Sequence, residues 1–140
     1  MFNTFWLFAF LSVVLVYGKK STVTIPPEYA GELITASVDC VRDTGVDPDM
    51  LNQIVQWKLQ ENDNVKKFIF CVATATGYGD SDGHVVVDKA EKLLSNSHKK
   101  KEEFKNILKE CNKISGSDKY DTLYKTAKCN REKQPIVFSL

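Results

Sequence analysis

Apolar side chains recur three and four residues apart along most of this chain, the period of an amphipathic α-helix rather than of a strand. After Pro26-Pro27, the residues Tyr29, Leu33, Ala36 and Cys40 form one stripe, expected to stop near Gly45. Asp47-Pro48 supplies a cap and a first-turn proline, followed by Met50, Ile54 and Trp57. Asn64 reads as the cap of a third helix, where Phe68-Ile69-Phe70-Cys71-Val72-Ala73 is apolar all round and marks the expected centre of the core. Gly77 to Gly83 is a loop by composition. Val86, Ala90, Leu93 and Leu94 outline a fourth helix, broken by Ser95-Asn96-Ser97. Phe104, Ile107, Leu108, Cys111 and Ile114 outline a fifth. Tyr120, Leu123, Tyr124 and Ala127 outline a sixth, capped by Asp118 and ended by Pro135. The expected fold class is all-α. The last residues, Ile136 to Leu140, are apolar and expected to pack, with a cavity mouth as the candidate place.

One segment departs from this pattern. Phe5 to Tyr17 carries no charge and is shorter than the roughly 20 apolar residues a bilayer span needs. It reads as the core of a signal peptide cut after Gly18, which predicts a leader over 1–18 and a single secreted domain over 19–140. Charge adds little: 19 basic residues face 18 acidic ones. Lys99-Lys100-Lys101 is answered at once by Glu102-Glu103 and reads as a solvated helix start, contact with an anionic membrane surface being the lesser reading. A basic stripe with interleaved aromatics is missing from the sequence, so no nucleic-acid partner is expected.

An exported chain with four cysteines, Cys40, Cys71, Cys111 and Cys129, is expected to form two disulfides. Four cysteines allow three pairings, and spacing alone does not choose among them. No two of them form the C-x-x-C pair of a zinc site, so no metal is expected. Asp80-x-Asp82-Gly83 lacks the remaining ligands of a calcium loop.

This cysteine pattern resembles that of the insect odorant-binding proteins of the general and pheromone-binding kind. In that family the second cysteine stands four positions before the third, and the fifth nine positions before the sixth. With the four cysteines here matched to the first, third, fourth and sixth, the missing two fall at Lys67 and Tyr120. In the family those two pair with each other, so one whole bridge is absent and no thiol is orphaned, as in the four-cysteine ("minus-C") subgroup. The resemblance spans the whole mature chain. It implies a compact six-helix fold around an apolar cavity, with bridges Cys40 to Cys71 and Cys111 to Cys129. It further implies reversible carriage of odorants, pheromones or other small lipophiles, with a membrane chemoreceptor as a further partner and a monomer or weak homodimer as the working form. Loss of the third bridge is expected to leave the cavity more pliable.

The residues expected to line the cavity are Leu33, Phe68, Val72, Tyr78, Leu93, Phe104, Leu108, Leu123, Tyr124 and Phe138, with Tyr78 and Tyr124 as hydrogen-bond donors to a ligand. The chain has two histidines, His84 and His98, and a pH-release role at His84 is the weaker reading beside a solvated histidine. Enzymatic chemistry is not expected, because the cysteines are committed and neither histidine sits beside a nucleophile motif. No cofactor is implied. The rival reading is a secreted helical signalling factor, which would have a filled core and an exposed receptor patch.

Overall fold

The computed structural model describes residues 20–140. The expected leader and its cleavage boundary lie outside the described residues. Among these, six α-helices follow one another: α1 (Pro27–Thr44), α2 (Pro48–Val55), α3 (Asp63–Thr76), α4 (Val87–Ala90, continued by a 3₁₀ turn over Glu91–Leu93), α5 (Lys101–Cys111) and α6 (Lys119–Lys133). The all-α reading holds. No described helix is long and apolar enough to cross a membrane.

Local chemistry sets the boundaries. α1 starts with proline at its first position and ends at Gly45, whose φ of 70° favours a residue without Cβ. The Asp47 carboxylate accepts from the Met50 amide at 2.8 Å to start α2, and Asp118 does the same for Asp121 at the start of α6. The third helix begins earlier than expected. Asn62, not Asn64, is its cap, and its side-chain oxygen accepts from the amides of Asn64 and Val65. Trp57, expected on the α2 stripe, falls beyond that helix and has φ 58°.

Two short strands were not anticipated. β1 (Ser21–Thr24) and β2 (Ile136–Ser139) pair in parallel, with Ser21 opposite Ile136 and Val23 opposite Phe138. The Ile25 amide extends the ladder by donating to the Ser139 carbonyl at 2.8 Å. Each strand carries three consecutive β-branched or aromatic residues, but four residues are too few for a period, and each finds its partner at the opposite end of the chain. The apolar tail therefore packs as a strand.

The disulfides are Cys40–Cys71, joining α1 to α3, and Cys111–Cys129, joining α5 to α6. α3 packs between α1 and α6. Two buried clusters result. One gathers Cys40, Val46 and Phe68, and the other gathers Ala90, Leu94, Phe104, Leu108 and Ile136. The space between these clusters is not filled.

Candidate functional site: an apolar cavity

A cavity of about 660 Å³ lies inside the helices, and every helix contributes to its wall. This volume falls in the range of small-molecule sites. The wall is almost wholly apolar. Eight of the ten residues expected from sequence stand on it: Leu33 from α1, Phe68 and Val72 from α3, Tyr78 from the following loop, Leu93, Phe104 and Leu108 from α4 and α5, and Phe138 from β2. Phe104 and Phe138 meet edge to face at 5.7 Å.

Leu123 and Tyr124 are not on that wall. Both are buried on α6, but Leu123 packs toward Gly79, and the Tyr124 hydroxyl donates to the Leu59 carbonyl at 3.2 Å. A helical stripe reports burial without reporting which side of the core a residue faces. The Tyr124 hydroxyl, expected to donate to a ligand, is instead bonded within its own chain and stands off the cavity wall.

The cavity mouth joins the apolar tail, expected there from sequence, to residues that sequence reasoning did not place at the site, Ile34, Val38, Val55 and Trp57. Ile34, Val38, Val55, Trp57 and Leu140 are the large apolar side chains left exposed among the described residues, and all five border the cavity. Val55 is 72% exposed and Leu140 73%. Scattered exposed apolar residues need no explanation, but five around one opening do. Ile34 and Val38 lie off the α1 stripe, so their periodicity marks them as outward-facing. The Arg131 guanidinium lies 5.2 Å from the centre of the Trp57 ring at the same opening.

Polar groups on the wall are few. The Tyr78 hydroxyl is buried and has no hydrogen-bond partner among the described residues. Burial, and then the Glu32 carboxylate and the Tyr29 phenol, push the Tyr78 pKa up, so it keeps its proton at neutral pH. Lys89 holds the ring in place: its ammonium lies 5.0 Å from the ring centre, donates to the Thr76 carbonyl and pairs with Glu32 at 3.7 Å. His84 is not on the wall. It sits on the preceding loop with its Nδ1 at 3.9 Å from Asp80, whose carboxylate folds that loop by accepting from the amides of Asp82 and His84. Lys100 and Lys101 are less free than expected, donating to Ser21 and to the Leu94 carbonyl respectively.

The sequence profile of the PBP/GOBP family matches residues 24–133, most of the chain. The chain belongs to the PBP/GOBP family. Solved structures of insect odorant-binding proteins share its fold. Odorant-binding protein 28a of Drosophila melanogaster superposes with a TM-score of 0.66 at 19% identity, over 76% of this chain and 93% of that one. The fatty acid binding protein OBP56a from the oral disk of the blowfly Phormia regina gives 0.65 at 22% identity, over 77% and 93%. Odorant-binding protein 7 of Anopheles gambiae, a protein with four disulfide bridges solved with an azo compound, gives 0.63 at 21% identity, over 77% and 87%. Comparison with curated protein sequences returned no match. Against that four-bridge relative, this PBP/GOBP-family chain holds its fold with two.

Proposed function

We propose that this protein is a secreted carrier that binds small hydrophobic molecules reversibly in its internal cavity. The observation that carries this reading is the continuous apolar surface that runs from the exposed rim at Val55 and Leu140 to the buried wall at Phe104 and Leu108. A signalling factor would need a filled core. Family membership supports the same reading, as does the fatty acid binding named for the blowfly relative.

The driving force is the removal of apolar ligand surface from water, worth about 0.8 kcal/mol per methylene. Each methylene added to an aliphatic ligand should therefore tighten binding by about fourfold until the cavity is full. No bond is made or broken. The residues proposed to contact ligand are Leu33, Phe68, Val72, Leu93, Phe104, Leu108 and Phe138, with Tyr78 donating to a ligand oxygen. Export by the leader would place the carrier in an extracellular fluid, where a membrane chemoreceptor is the proposed recipient of its cargo.

Titration of the oxidised protein from Lys19 onward with N-phenyl-1-naphthylamine, followed by displacement with aliphatic chains of increasing length, tests this reading. One saturable site, competitive displacement and an affinity that climbs with chain length are expected. Absence of saturable binding by a folded protein with both disulfides would overturn it.

A further inference from the structure

Ala127, Asn130, Arg131 and Gln134 recur at helical spacing along the end of α6, and all four stand on the cavity wall. Among the described residues Arg131 is the only charged one on that wall. The last turn of a helix suits a cation, but Lys133 in the same turn is paired with Glu110 at 2.8 Å, whereas Arg131 has no carboxylate within 4.0 Å among the described residues. The chain's other arginine, Arg42, pairs with Asp39 and Asp43. The sequence before Lys20 holds no Asp or Glu to answer Arg131.

The guanidinium donates to no acceptor among the described residues, and none of its nitrogens is shut away from solvent as the Tyr78 hydroxyl is. Its donors are therefore open at the mouth. It lies 5.2 Å from the centre of the Trp57 ring, itself 47% exposed, and a cation–π contact places the charge without engaging its N–H donors in hydrogen bonds. Trp57 and Arg131 also border a smaller recess of about 250 Å³ beside the mouth, together with Leu59, Lys128 and Glu132. The Lys20 ammonium joins them by donating to the Arg131 and Glu132 carbonyls. Around Arg131, Lys20 and Lys128 add positive charge and Glu132 is the one acidic side chain, at the place where the apolar cavity meets water.

We infer that Arg131 holds the head of a long-chain carboxylate whose tail fills the apolar cavity. The inference rests on the carrier reading and narrows it from lipophiles in general to single-chain anions. A guanidinium presents paired N–H donors in the geometry of a carboxylate's two oxygens, and such charge-assisted pairs are stronger than neutral hydrogen bonds. Deeper in the cavity an ionised carboxylate loses its hydration to a wall with no charge to replace it. At the mouth it keeps part of its hydration, while the methylenes next to it meet the apolar rim at Trp57. An ammonium head meets like charge at the same place, and a hydroxyl head takes little from either sign.

Displacement of N-phenyl-1-naphthylamine at neutral pH and low ionic strength by three ligands of matched length, dodecanoate, 1-dodecanol and dodecylammonium, tests the inference. Dodecanoate is expected to bind about tenfold tighter than dodecylammonium, and the gap should narrow to about threefold or less in about 1 M salt, because the pair is partly open to solvent. Arg131→Gln should cut the low-salt ratio by about threefold or more, and Arg131→Lys, which keeps the charge and loses the fork, should keep part of it. The wild-type salt dependence stands even where a variant folds poorly. A wild-type ratio near one, a ratio indifferent to salt, or a preference for dodecanoate untouched by Arg131→Gln would overturn the assignment to Arg131, while displacement by 1-dodecanol would leave the carrier reading intact. Failure of the probe itself to bind would overturn both.

Discussion

The Lys67 ammonium lies 6.0 Å from the ring centre of Tyr120, joining α3 to α6 at the two positions where the six-cysteine relatives pair their second and fifth cysteines. Around this contact Phe70 meets Tyr120 edge to face at 4.9 Å, and the Lys119 ammonium sits over both rings. Lys66, one residue earlier, reaches Asp121 at 2.8 Å. These contacts join α3 to α6 at the positions that the resemblance assigns to the absent bridge.

With those positions matched to the second and fifth cysteines, the double substitution Lys67→Cys and Tyr120→Cys should form a third disulfide. Closing a loop of that length contributes at most about 3 to 4 kcal/mol, less the cation–π and aromatic contacts removed. The expected result is loss of both free thiols on oxidation and a Tm higher by roughly 5 to 10 °C. Two thiols that stay reactive after oxidation would show that the backbones are too far apart to bridge.

Asp121 gives the α3–α6 contact its pH dependence. Its carboxylate accepts from Lys66 first, then from Lys125 and the Ser117 amide, which together hold its pKa far below the usual carboxylate range. A lowered folded-state pKa means stability that is present above the unfolded value of about 3.9 and lost as pH falls through the folded one. Lys66 is shifted the opposite way, raised mainly by its hydrogen bond to Asp121, so its share persists until pH rises past the usual lysine range. Asp121→Asn should lower Tm at pH 7 and flatten its fall below about pH 4. Parallel Tm-versus-pH curves for wild type and variant would exclude this role.

Wall and rim should separate stability from binding. Leu108 is 4% exposed and belongs to the core as well as the wall, so Leu108→Ala should cost about 2 to 5 kcal/mol in chemical denaturation. Val55→Asp at the exposed rim should change stability by less than about 0.5 kcal/mol. It should nevertheless weaken probe binding several-fold by placing a charge in the ligand's path. A rim variant that binds as well as wild type would move the entrance elsewhere.

Much of the helical framework was legible because its signals are local. Asp47, Asp118, Gly45 and the apolar stripes act within one turn of where they stand. The ribbon of β1 and β2 was not legible, since Val23 and Phe138 become neighbours only after the helices have folded. Within the site, the same stripes marked Phe104 and Leu108 and also misplaced Leu123 and Tyr124, because a core residue and a cavity residue present the same period.

Trp57 offers a direct optical readout. The sequence has two tryptophans, and Trp6 lies in the expected leader, so the chain from Lys19 onward carries the indole of Trp57 alone. Its left-handed backbone, a conformation that costs about 1 to 3 kcal/mol outside glycine, holds the ring at the rim beside Arg131. Ligand binding should cover the indole and shift its emission to the blue, with the same midpoint as the probe titration. Emission that does not change at saturation would place the ligand away from this rim.

The C-terminal strand closes the cavity, and its removal should open it. Val137, Phe138 and Leu140 all stand on the wall, and Phe138 packs on Phe104, so deletion of residues 137–140 removes one side of the site and the partner of β1. The helices should survive, because Cys40–Cys71 and Cys111–Cys129 join them independently of either strand. Circular dichroism should therefore report nearly unchanged helix content, with Tm lowered by several degrees. Probe affinity should fall at least tenfold, since about 2 kcal/mol of apolar contact is lost with Phe138 alone. Retained affinity in the truncated protein would mean that the strand is a tether for the two chain ends and that the ligand is held by the helices alone.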